Sequence, residues 1–308
     1  MKVAILLLAH KNEAQLRRLI GALRHENVDI FVHLDKKASF SKDALADTGV
    51  IFTENQLDVG LFEFSMVEAE KELIHTAKNH GKYDYFVLLS GQCYPLVSME
   101  SLVKTLQEQY PKPLIEIVAP TQTNYVKKNF RHVTAMKRFK LQTYAFLKKH
   151  FSYKGYRALR YIPGGFTWVM SGIKELFVGS PKARLDKMGI ATYCGSQWWI
   201  LPDTVIDRME KFFTDKAFCR IVSDCFSSDE TFFQTAIMAQ QEENGVCLDE
   251  NGNYMLGQWF FIFDGGHPIL LNQEYFAQIT QSGMLFARKF DTDYDTQILD
   301  SIDRFIGI

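Results

Sequence analysis

The chain has 308 residues, 47% of them hydrophobic and 23% charged, so it can bury a sizeable core and nothing requires it to be disordered. No stretch approaches the roughly 18 unbroken apolar residues of a membrane-spanning helix, and the five cysteines (Cys93, Cys194, Cys219, Cys225 and Cys247) form no CxxC pair, which points to reduced thiols rather than a zinc or disulfide framework. The net charge is −1 but uneven: residues 117–174 carry 12 Lys and Arg and no acidic side chain, which leaves −13 on the remainder.

In chain order, residues 3–8 form a continuous apolar run, the pattern of a strand buried on both faces. Asn12 or Glu13 opens a helix with Leu16, Leu19, Ile20 and Leu23 on its apolar stripe. Residues 28–34 read as a second strand, a short helix is expected near residues 42–46, and a weak strand at 50–53. A long helix follows over about 62–79, with Met66, Leu73, Ile74 and Ala77 inward and Gly81 ending it. Residues 85–89 are a buried strand. Ser98 caps a helix that Pro111 stops, and residues 114–118 return to strand. The basic stretch 119–160 has mixed signals. Strands are expected at 164–171, 195–201 and 259–263, and helices at 203–214, 216–226, 229–240 and 294–308.

Alternating strands and helices predict an α/β fold with a mostly parallel central sheet flanked by helices. Ligands then bind beyond the C-terminal ends of the strands, which places the interest at residues 10–13, 33–37 and 90–95. At that edge, Ala9 and the residues after it stand beside Asp35, Lys36 and Lys37. An Asp there can accept hydrogen bonds from a base or ribose, and a basic pair can face phosphate. It can equally be a solvated turn. In residues 88–96, a strand runs into Gly91 and is halted by Pro95, which permits close backbone approach to a ligand. Aromatic residues interleave with the basic stretch. It reads either as a solvated face or as a surface for an anionic partner such as a membrane; no nucleic-acid motif accompanies it.

Five segments occur in order: His33-Leu34-Asp35-Lys36-Lys37-Ala38, the run from Leu88 through Leu96, Gly195-Ser196-Gln197-Trp198-Trp199, Ser228-Asp229-Glu230, and the run from Leu285 through Asp291. Together they resemble glycosyltransferase family 14, which holds the core-2/I-branching β-1,6-N-acetylglucosaminyltransferases and the peptide O-xylosyltransferases. The resemblance spans roughly residues 3–295. It implies a GT-A-like fold in one glycosyltransferase domain over 1–308, with about 1–118 as the nucleotide-binding half and about 119–308 as the acceptor and catalytic half. It also implies inversion at the anomeric carbon, a UDP-sugar donor, no cofactor and no divalent metal.

An inverting transfer needs one carboxylate to take the acceptor's proton and positive charge to hold the departing diphosphate. The resemblance makes Glu230 the base. Read from the residues alone, Ser227-x-x-Glu230 is also a capping box, in which Glu230 merely closes a helix. The resemblance further assigns Arg288 and Lys289 to the diphosphate, Ala9 and Asp35 to the uracil region, and Glu116 and Asp229 to the acceptor. Trp198 and Trp199 fit a sugar-stacking wall, one facing inward and the other outward; core tryptophan is the plainer alternative. Two positions depart from the family pattern: Cys93 stands where Asp is common, and Gly266-His267 stands where an Arg is expected. Asp291, Asp293 and Asp295 alternate and offer an alternative metal set.

The expected activity is transfer of a sugar, most simply N-acetylglucosamine, from a UDP-sugar to a hydroxyl of a glycan or glycolipid. The alternatives are a UDP-xylose-dependent enzyme, or a non-catalytic domain that binds anions or a membrane surface through residues 119–174. The expected location is cytoplasmic, with peripheral contact at the inner face of the membrane.

Overall fold

The computed structural model of the chain describes residues 1–61, 63–119, 177–264 and 267–308. Its central strand is β1, Val3–Ala9, with all seven residues buried. The apolar run explains this: a strand covered on both faces has no position for a polar side chain. β2 (Val28–Leu34) and β4 (Tyr85–Ser90) pair with β1 in parallel on either side, and β3 (Ile51–Phe52) pairs in parallel with β2. Beyond β4 the direction alternates. β7 (Trp199–Pro202) is antiparallel to both β4 and β6 (Leu114–Ile117), and β8 (Tyr254–Met255) is antiparallel to β6. The order is β3-β2-β1-β4-β7-β6-β8, with all but β7 and β8 running the same way. This is the mostly parallel, helix-flanked sheet of a GT-A-like α/β fold.

α1 (Glu13–Ala22) links β1 to β2, and α2 (Phe64–His80) returns the chain from β3 past β1 to β4. Right-handed crossovers in opposite directions put α1 and α2 on opposite faces. The reversal opens a crevice beyond the C-terminal ends of β1 and β4, the place where open α/β sheets bind ligands. α3 (Met99–Gln109) leads into β6; its cap Ser98 accepts from the Ser101 amide at 3.2 Å. α4 (Pro181–Lys187) follows, then α5 (Asp203–Thr214) against β4 and β7, α6 (Lys216–Val222) and α7 (Phe232–Met238).

A second, three-stranded sheet lies in the order β5-β12-β9, from β5 (Cys93–Pro95), β9 (Trp259–Phe260) and β12 (Phe286–Arg288). β10 (Phe263–Asp264) and β11 (His267–Pro268) form a short hairpin, and α8 (Phe276–Gln281) and α9 (Gln297–Ile306) complete the fold. Among the described residues no helix is long and apolar enough to cross a membrane.

The structure revises several expectations. α2 turns Val67, Ala69 and Glu70 inward beside Leu73, Ile74 and Ala77, while Met66 stays half-buried at the margin. The predicted helix over 229–240 starts only at Phe232, which takes Glu230 out of it. The predicted strand over 259–263 is two short strands with a bend between them. The predicted strand at 164–171 and nearly all of the basic stretch 119–174 lie outside the described residues.

Candidate active site

The crevice between β1 and β4 is floored by backbone bonds. The Asp35 amide donates to the Ala9 carbonyl at 2.8 Å, and the Gly91 amide donates to the Leu8 carbonyl at 3.0 Å. Asp35 is nearly buried, and its Oδ1 accepts from the Lys37 amide at 2.7 Å, an Asx-type turn that fixes the carboxylate. Lys37 reaches the Asp58 carboxylate and donates to the Val59 carbonyl at 2.7 Å, so it is tied to the loop after β3. His33, pointing back into the fold, accepts the Leu57 amide at 3.1 Å.

His10 sits at the centre of this end. Its pKa is pushed down first by burial and then by Lys11, with Lys289 and Lys37 adding to the effect and Asp35 opposing it. Asp35 and Lys289, 254 positions apart in the chain, are thus both close enough to act electrostatically on this imidazole. Lys289 is half-buried, and its pKa is lowered by burial, then by Arg288 and Lys11.

α1 carries the clamp that brings Lys289 here. Gln15 is buried; its Nε2 donates to the Gly91 carbonyl (2.8 Å) and the Phe290 carbonyl (3.0 Å), and its Oε1 accepts the Thr292 amide (2.8 Å). Asn12 caps α1 at φ 55° and donates to Asp291 and Thr292. Lys11 pairs with Asp291 at 2.5 Å. Asp295 accepts the Gln273 and Gln297 amides, each at 2.8 Å. Asp291 and Asp295 thus serve the backbone and Lys11, and the alternating Asp set is not arranged as a ligand shell. Among the described residues no group of three His, Cys, Asp or Glu could hold a metal ion.

A second cluster forms where β6 and the turn before α7 meet. Gly195 stitches them together: its amide donates to the Glu230 carbonyl at 3.0 Å, and a Cβ there would lie 1.9 Å from the Glu116 carbonyl oxygen. Only glycine tolerates that approach. Gly257 packs on the other side of Glu116. The two carboxylates sense each other: the Glu116 pKa is raised first by burial and then by Glu230. Cys194, between them, is pushed up to about 12 by burial, then Glu230 and Glu116.

Glu230 is half-buried in the turn ahead of α7, whose N-cap is Thr231. The capping-box alternative therefore fails: the helix starts four residues too late for Glu230 to occupy its third position. Asp229, next to it, is buried at 4% exposure.

Arg288 joins the clusters. It opposes Cys93 in the β5–β12 ladder and lies near Glu230. Its guanidinium carbon is 4.2 Å from the centre of the Trp198 ring, and its Nε is buried without a hydrogen-bond partner. No carboxylate of a described residue lies within ion-pair distance of it. Trp198 and Trp199 are both buried, against the expectation that one faces outward: Trp198 is covered by Arg288, and Trp199 packs on Phe233 at 4.9 Å between centroids in the core. Strand β7 begins only at Trp199, so Trp198 stands just ahead of it, and both rings are covered. The structure corrects the sugar-wall expectation, since neither indole face is offered to solvent.

Comparison with known proteins now adds the decisive point. The family model for core-2/I-branching enzymes matches residues 3–269. The chain belongs to the core-2/I-branching enzyme family. Membership indicates glycosyltransferase activity. The family match covers Ala9, Asp35, Glu116, Asp229 and Glu230 and ends before Arg288 and Lys289. No curated protein matches. Among solved structures, a cytidylyltransferase from Leptospira borgpetersenii serovar Hardjo-bovis (strain JB197) matches at 18% identity with a TM-score of 0.26, over 40% of this chain; the chain spans only 56% of that structure's length. A likeness of that size carries no argument.

For this branching-enzyme relative, Glu70 and Gln15 are the side chains that sequence reasoning passed over. Each is a polar residue on an apolar helical stripe, Gln15 one turn before Leu19 and Glu70 one turn before Leu73 and Ile74. That misplaced polarity was the available signal.

Proposed function

We propose that the protein is an inverting, metal-independent transferase that moves a sugar, N-acetylglucosamine in the first instance, from a UDP-sugar to a hydroxyl of a glycan or glycolipid acceptor. The observation that carries this reading is the meeting of Glu116, Glu230 and Arg288 at one end of the sheet, with Lys289 beside His10 and Asp35 at the adjoining crevice. Glu230, half-exposed, takes the proton from the attacking hydroxyl. Glu116, which holds its own proton more tightly than an ordinary carboxyl, hydrogen-bonds the acceptor, and Asp229 supports that turn. Asp35 and the Ala9 backbone receive the base and ribose. Arg288 and Lys289 meet the diphosphate charge that develops as the glycosidic bond breaks, the task a divalent ion performs elsewhere.

The test is a UDP-release screen across donor sugars, run in excess EDTA and again with Mn²⁺. Release in EDTA is expected with UDP-N-acetylglucosamine; preference for UDP-xylose would move the assignment to the xylosyl branch. Glu230→Gln is expected to lower kcat by at least about 10²-fold, the usual scale of general-base catalysis, while UDP binding persists. Full activity in that variant removes Glu230 from the role, and strict dependence on Mn²⁺ overturns the cationic clamp.

A further inference from the structure

Glu70 is a fully buried acid that the proposed chemistry does not use. It projects from α2 among Val67, Leu73 and Ile74, all core residues. Its Oε1 accepts from the Gln197 Nε2 at 2.8 Å, and its Oε2 is buried with no hydrogen-bond partner. The charged group that acts on it is another carboxylate, Asp229, itself nearly buried. No cation among the described residues forms an ion pair with Glu70. A fully buried carboxyl group with one hydrogen bond and no ion pair among the described residues is held neutral far more readily than ionised.

The position matters because of what the neighbours hold. Gln197 belongs to the segment from Gly195 to Gln197, which is tied at three points. Gly195 donates to the Glu230 carbonyl at 3.0 Å, the Gln234 Nε2 donates to the Ser196 carbonyl at 2.7 Å, and Gln197 rests on Glu70. Asp229 precedes Glu230 directly. Glu70 therefore holds one end of the segment whose other end, at Gly195, is bonded to the Glu230 carbonyl.

We propose that Glu70 is kept as a neutral carboxylic acid and acts as a positioning residue, holding Gln197, and through it the Gly195 segment, so that Glu230 meets the acceptor hydroxyl. The role rests on the reading of Glu230 as the base. Burial supports the neutral form by raising the Glu70 pKa well above its ordinary value of 4.5; the Gln197 bond opposes this and Asp229 adds to it. The sign follows. A folded value above the unfolded one means that the folded protein binds the proton more tightly. Glu70 then contributes its full stability below about pH 4.5, and that contribution is lost as pH rises toward the folded value.

Glu70→Gln copies the neutral acid: its oxygen still accepts from Gln197, and it carries no charge at any pH. Urea unfolding of the wild type and Glu70→Gln from pH 4 to 8 should show the variant gaining on the wild type steadily as pH rises. A constant difference across that range overturns the proposal. In the transfer assay Glu70→Gln should keep kcat close to wild type, whereas Glu70→Leu should cut kcat by about tenfold or more with donor KM unchanged, the scale of a displaced catalytic group. If Glu70→Gln is folded yet as impaired as Glu70→Leu, an ionised carboxylate is required and the proposal falls. Glu230→Gln in the same assay keeps the two readings apart. Its full activity sinks the base reading and the positioning role together, while the unfolding series still decides where the proton resides.

Discussion

At the scale of single residues, the instructive case is Trp198. A tryptophan on a strand gives one sequence signal whether its face meets a pyranose or a guanidinium, since both favour a flat electron-rich ring. The structure places Arg288 over it, 4.2 Å from the ring centre. A buried cation with no ion-pair partner among the described residues keeps its charge for a ligand, and the quadrupole of the indole partly replaces lost hydration. Cys93 matters here too. It faces Arg288 across the β5–β12 ladder, where an Asp would neutralise it. Trp198→Leu should remove about 1 kcal/mol of that support and raise the donor KM by some fivefold, about what such an energy implies, with acceptor KM unaffected; Trp198→Phe should retain most of the wild-type value. A change confined to acceptor KM would restore the sugar-wall role. Glu230 and Lys289 could be named as candidates from the sequence because each stands in a short motif whose order along the chain is informative, and Glu116 because it stands at the end of a strand. Trp198 was not, because its partner lies 90 positions away on a strand too short to show a period.

At the scale of elements, long apolar patterns were read correctly and short polar ones were not. β1, β2, β4, α1 and α5 announce themselves by unbroken apolar runs or a 3.6-residue stripe. β5 and β12 have three residues each, one ending in proline and the other in arginine, and neither shows a period. Yet these two strands, with α1, carry the clamp residues. Gln15 is the joint: one buried amide satisfies two carbonyls and one N–H, on the Gly91 turn and on the segment after Lys289. Gln15→Leu fills similar space and leaves two groups unbonded, the Gly91 carbonyl and the Thr292 amide, while the Phe290 carbonyl keeps its bond from Gln92. Each orphaned buried group costs about 1–3 kcal/mol, so urea unfolding should show a loss of at least about 2 kcal/mol, read as a lower midpoint at unchanged slope. UDP affinity should fall with it, because Lys289 is released from α1. A variant destabilised but with wild-type UDP affinity would show that the clamp serves the fold alone.

At the scale of the whole molecule, the parallel half β3-β2-β1-β4 follows from the order of strands and helices in the sequence, but the other half does not. Nothing in residues 195–201 says that β7 enters between β4 and β6 in the opposite direction, since a four-residue apolar strand fits either orientation. That insertion joins the crevice at β1 and β4, where Asp35 and Lys289 gather, to β6, which bears Glu116. Trp199 is its largest core contact, fully buried against Phe233 with its indole N–H unbonded. Core and ligand-wall roles predict different outcomes for it. If Trp199 is core, Trp199→Ala opens a cavity and costs about 3–5 kcal/mol, and β6 loosens, so activity falls together with stability. Trp199→Phe loses volume but also removes an unsatisfied donor, so it should cost distinctly less and leave kcat and both KM values close to wild type. A Trp199→Phe protein as stable as the wild type but with a raised acceptor KM would mean that the indole meets the sugar after all, and that the β4-β7-β6 junction opens when the acceptor binds.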